Sequence, residues 1–82
     1  MLERLKTAPK VVGIKQSTRV VKDGNALVAY IAEDADRHVT QQLENLCIEK
    51  SIEVIRVNSM KELGEACGID VGAASAVVIK IV

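Results

Sequence analysis

Residues 26–36 read ALVAYIAEDAD, an unbroken apolar run followed at once by Glu33, Asp34 and Asp36. An apolar run with no polar alternation marks a strand covered on both faces, which places Ala26 to Ala32 inside a sheet. The acids that follow suit the start of a helix, where a carboxylate caps free N–H groups and faces the positive end of the helix dipole. That helix carries Val39, Leu43, Leu46 and Cys47 on one stripe. A strand follows from about Ile52 to Val57. Ser59 and Glu62 then form a capping box for a further helix, with Met60, Leu63 and Cys67 facing inward. Gly64 on that helix permits close approach of a neighbouring backbone, and Gly68 ends it. The last segment, Ser75 to Val82, is apolar on both faces except at Lys80 and reads as a central strand.

Upstream, a short helix over Met1 to Thr7 ends before Pro9, and Val11 and Val12 belong to a short strand. Gly13 opens a second helix, whose Ile14, Thr18 and Val21 define a core face, and Asp23, Gly24 and Asn25 stop it. Helices alternate with strands throughout. The expected fold class is therefore α/β: one domain over 1–82, a three-layer α/β/α sandwich.

Composition narrows the function. The chain has 82 residues, no Phe, no Trp and one tyrosine, Tyr30. Single-strand RNA binders stack bases on aromatic side chains, so an RNA partner is expected to be read through its folded shape. The formal net charge is zero, yet Arg4, Lys6, Lys10, Lys15, Arg19 and Lys22 face only Glu3 within the first 22 residues. A local cationic surface on a neutral chain fits a partner offering a few phosphates at a defined place. No apolar run is long enough to span a bilayer and no signal-peptide core is visible, so a cytoplasmic location without membrane contact is expected. Cys47 and Cys67 fall inside helical apolar patterns and read as small buried hydrophobes. Only one histidine, His38, is available to complete a zinc set, so none is expected, and His38 reads as a surface residue. Neither a P-loop nor a dinucleotide fingerprint is present. No catalytic residues, metal or cofactor are expected.

Two features remain. Lys15, Arg19 and Lys22 recur at i, i+4 and i+7, an arc of about 60° on the helix cylinder. Gln16 adds an amide that both donates and accepts. The stripe could simply be a solvated face. The loop Gly68-Ile69-Asp70-Val71-Gly72 holds two aliphatic side chains where turn chemistry prefers polar ones. These either tuck into the core or need a partner surface.

The stretches GIKQSTRVVKDG (13–24), LVAYIAEDAD (27–36) and LGEACGIDVGAASAV (63–77) resemble, in order, the ribosomal protein L-seven-Ae, L-thirty-e and Gadd45 family of kink-turn RNA binders. The short length is similar to that of its bacterial ribosome-associated members. The resemblance implies a mixed four-stranded sheet in the order 1-4-2-3. It also implies that the helix after Gly13 docks beside tandem sheared G·A pairs in a bent internal loop. Carried over, Lys15 and Gln16 take positions that contact guanine edges, and Arg19 replaces a lysine approaching the same bases. Lys61 matches a basic position that contacts RNA backbone. Ile69, Asp70, Val71 and Gly72 match the loop covering an extruded nucleotide. The commoner motif is Gly-x-Asn-Glu-x-x-Lys. Here Gly13-Ile14-Lys15-Gln16-Ser17-Thr18-Arg19 keeps the donors and removes a charged acceptor. The expected partner is a structured kink-turn RNA, ribosomal or riboswitch-like, with the ribosome as a further partner and the protein a monomer. The cationic helix and the aliphatic loop are expected to share one concavity. The rival readings are a protein interaction module anchored by Ile69 and Val71, and an acid–base enzyme using Glu33, Asp34 or Asp36.

Overall fold

A computed structural model describes residues 4–80. In chain order the elements are α1 (Arg4–Thr7), β1 (Lys10–Val12), α2 (Ile14–Lys22), β2 (Ala26–Ala32), α3 (Arg37–Glu49), β3 (Glu53–Val57), α4 (Met60–Cys67) and β4 (Ser75–Ile79). Met1 to Glu3 of the expected first helix, and Ile81 and Val82 of the expected last strand, lie outside the described residues. The sheet order is β1-β4-β2-β3, as the resemblance implies. β4 pairs antiparallel with β1 (Val12 opposite Ala76) and with β2 (Ile31 opposite Ser75), while β2 and β3 run parallel (Ala32 opposite Val57).

The unbroken apolar character of β2 has the physical origin assigned to it. Val28, Tyr30 and Ala32 enter one core with Leu5 of α1 and Leu63, Ala66 and Cys67 of α4. Ala29 and Ile31 enter the other, with Val21 of α2 and Leu43 and Cys47 of α3. The sheet is thus covered by α1 and α4 on one face and by α2 and α3 on the other, the three-layer arrangement. Leu27 escapes both cores because the β2–β4 register shifts between Ala26 and Val28, and it is exposed.

Three details differ from the sequence expectation. On α3 the buried stripe is Thr40, Leu43 and Cys47, and Val39 is exposed. On α2 the fully buried positions are Ser17 and Val21, while Ile14 and Thr18 are half-buried. The acids after β2 do not act together. Asp36 caps α3 by accepting from the His38 N–H at 2.9 Å, whereas Asp34 reaches across to cap α4, accepting from the Met60 N–H at 2.8 Å. Glu33 caps neither helix. Instead it lines a crevice of about 250 Å³ beside the exposed Arg56–Glu44 ion pair. The Ser59 cap is as expected, its hydroxyl accepting from the Glu62 N–H at 3.1 Å.

Candidate functional site

The site begins at Gly13, whose backbone (φ 98°, ψ 157°) lies where L side chains are strained. Lacking a side chain, Gly13 gives α2 no side-chain cap. Its N–H donates to the Ser75 carbonyl at 2.8 Å, and its carbonyl accepts from the Ser17 N–H at 2.9 Å. These bonds start α2 against the head of β4. Ser17 and Val21 then turn inward, which leaves Lys15, Gln16, Arg19 and Lys22 exposed.

Lys15, Gln16, Thr18, Arg19 and Lys22 line a recess of about 290 Å³. Thr18, assigned by periodicity to the core face, belongs to this recess. Ile14 instead packs half-buried against the apolar cluster under α2. Among the described residues, neither Lys15, Arg19 nor Lys22 is held in an ion pair. Arg19 and Lys22 lie in the last turn, where cations favour the negative end of the helix dipole. Lys15 lies in the first turn, where a cation opposes the dipole by roughly 0.3–1 kcal/mol and deepens the local positive potential. Helix stability therefore does not account for a lysine at that position.

The loop after α4 is fixed by three glycines. Gly68 takes the left-handed conformation (φ 81°) and ends the helix, with the Ile69 N–H donating back to the Gly64 carbonyl at 3.1 Å. A Cβ on Gly64 would stand 2.0 Å from the Val71 carbonyl oxygen, so the expected close approach is real and is made by the loop itself. Gly72 lies against Met60, and the Ala73 N–H donates to the Met60 carbonyl at 3.0 Å. Strapped over the first turn of α4, the loop divides its two aliphatics. Ile69 is half-buried and packs on the core, while Val71 is 69% exposed. Lys61, Glu65, Ile69, Asp70, Val71 and Gly72 line a second recess, of about 300 Å³. Glu65 was missed by sequence reasoning. Its spacing of four from Lys61 on an exposed helix face was the available signal.

The cationic and aliphatic features therefore form two recesses with no lining residue in common, rather than one concavity. They meet through the backbone at one end of the sheet. The Ala74 carbonyl accepts from the Ala32 N–H at 2.9 Å, the Ser75 carbonyl accepts from Gly13, and the Ser17 and Ser75 hydroxyls are hydrogen-bonded at 2.9 Å. Chemically, the α2 recess offers guanidinium, ammonium and amide donors, and the loop recess offers an exposed aliphatic flanked by one cation and two carboxylates.

Other reactive groups are occupied structurally. Burial pushes the Cys47 thiol up, with the Glu44 carboxylate adding to the rise. Burial also raises that of Cys67, partly opposed by Lys10. Neither is poised as a thiolate. Among the described residues no group of three or more His, Cys, Asp or Glu side chains could hold a metal ion, and no helix is long and apolar enough to cross a membrane.

Comparison with known proteins agrees with this architecture. The family described as ribosomal protein L7Ae/L30e/S12e/Gadd45 matches residues 2–82. An RNA-binding protein of Caldanaerobacter subterraneus subsp. tengcongensis is 46% identical over 67 residues, 82% of each chain. An RNA-binding protein of a Geobacillus species is 42% identical over 76 residues, 93% of each chain. The solved 15.5kD RNA binding protein of Giardia lamblia superposes with a TM-score of 0.89 at 27% identity, covering 98% of this chain and 71% of its own.

Proposed function

The chain belongs to the ribosomal protein L7Ae/L30e/S12e/Gadd45 family, and from that membership we propose that it binds structured RNA by recognising and stabilising kink-turn motifs. The observation that carries the reading is the exposed face of α2. Lys15, Gln16 and Arg19 stand exposed around one recess, unpaired among the described residues, with a lysine set against the helix dipole. An ordinary A-form major groove is too deep and narrow for side chains to read, so these donors need a groove opened by a bend. Beside tandem sheared G·A pairs the groove is wide enough. There, Lys15 and Arg19 donate to guanine O6 and N7, and the Gln16 amide pairs with a base edge. Lys22 supports the nearby phosphates. Val71, projecting beside Lys61, covers the nucleotide that the bend extrudes. Ile69 holds the loop to the core from below.

In this role the protein binds RNA and performs no chemistry. It binds the bent RNA in preference to the extended one, and that difference in affinity shifts the RNA equilibrium. Its partner is a ribosomal or riboswitch-like RNA in the cytoplasm, engaged by a monomer.

Because the chain is neutral overall, only a few phosphate contacts are available. The slope of log affinity against log salt is expected to be shallow, on the order of −2 to −4. Fluorescence anisotropy with a kink-turn RNA across a salt series measures it. A slope of about −8 or steeper would mean diffuse polyanion binding and would overturn the proposal.

A further inference from the structure

We propose that the buried Ser17–Ser75 hydroxyl pair is a positioning element that fixes the span between the α2 recess and the loop recess, so that the protein selects RNAs whose opened groove and extruded nucleotide stand at that one separation. The inference rests on the kink-turn reading and adds to it two residues that touch no RNA.

Ser17 and Ser75 are both fully buried, and their hydroxyls, 58 residues apart in the chain, meet at 2.9 Å. Ser17 lies between Gln16 and Arg19. Ser75 opens β4 directly after the loop that ends the second recess. The residue is held twice at the start of α2, through its side chain to Ser17 and through its carbonyl to the N–H of the cap residue Gly13. Two bonds from one residue to successive points of a helical turn fix the rotation of that turn as well as its distance. The Ala74 carbonyl, bonded to the Ala32 N–H, fixes the other side of the same junction to β2.

Stability alone does not call for the pair, since replacing both members of a buried hydrogen bond by apolar groups of the same shape can be nearly neutral. A hydrogen bond constrains direction, which an alanine contact at the same place does not. A fixed helix rotation aims the ends of Lys15 and Arg19, and a two-point ligand gains from the second contact only when the span between contacts is preset.

The test compares wild type with the double variant Ser17→Ala/Ser75→Ala on two probes: a kink-turn RNA with tandem sheared G·A pairs and an extruded nucleotide, and the same RNA with that nucleotide made abasic. The double variant is expected to lose about tenfold in affinity for the intact RNA and less than about twofold for the abasic one. The Gly13 amide is expected to exchange with solvent faster in the same variant. Ser75→Thr, which keeps the hydroxyl and suits a strand, is expected to retain the preference, and Ser17→Cys, with a weak S–H donor, to lose part of it. Equal losses on both RNAs would show that the pair only supports the fold and would overturn the inference. So would an unchanged preference in the double variant or, if that variant does not fold, in Ser17→Cys. Wild-type protein that binds neither RNA would overturn the kink-turn reading itself, an outcome distinct from these.

Discussion

Gly64→Ala is expected to destabilise the protein by about 3 kcal/mol or more. The added Cβ would stand 2.0 Å from the Val71 carbonyl oxygen and 3.0 Å from its carbon. Both are main-chain atoms, so no flexible side chain can swing aside. The helical side of the contact is equally fixed, because Leu63, Ala66 and Cys67 anchor α4 in the core. The loop must therefore move, which breaks the bond from the Ala73 N–H to the Met60 carbonyl and lifts Val71 from its position. For a domain of this size a loss of about 3 kcal/mol lowers the melting temperature by roughly 12 °C or more. Thermal unfolding followed by circular dichroism measures the shift. A variant that melts within about 2 °C of wild type would show that the loop gives way freely, and the account of its rigidity would fail.

Arg19→Glu is expected to weaken binding to a kink-turn RNA by at least about 2 kcal/mol, roughly 30-fold. The change removes a donor from the α2 recess and puts a like charge against phosphate. Arg19 is exposed and is held by no ion pair among the described residues. Its replacement therefore affects folding only through the helix dipole, at a cost of about 1 kcal/mol or less. Affinity and stability are thus expected to separate in this variant and to fall out differently in Gly64→Ala. A gel shift with the melting curve of the same sample checks both. Unchanged affinity would remove α2 from the interface.

The architecture was legible where one residue's neighbours decide its role. The unbroken apolar run of β2 required cover on both faces, and both cores are there. Gly64 in an otherwise good helix signalled a close approach, although the sequence could not say that the approaching chain is the loop seven residues further on. What was not legible depends on pairings distant in the chain. Ser17 reads as polar, and only Ser75 makes it a core residue. Asp34 was assigned with its neighbours to the helix that follows it, but its acceptor serves α4, 26 residues away. Val39 fits the periodicity of α3 as well as Thr40 does. The choice between them is made by how the helix is rolled against the sheet, which a helical period leaves free. The division of the site into two recesses has the same origin. Periodicity places cations on α2 and aliphatics on a loop, and the distance between the two is set by the crossing of β4 between β1 and β2.

The claim on which the rest depends is that the protein bends its RNA partner by binding the bent form. The direct measurement is energy transfer between dyes on the two arms of a kink-turn RNA, without added divalent metal, as wild-type protein is titrated. Transfer is expected to rise to a saturating value characteristic of the bent RNA, and a control RNA with its G·A pairs replaced by Watson–Crick pairs is expected to stay extended. Protein that binds the RNA while the arms remain apart, or that treats the two RNAs alike, would contradict it.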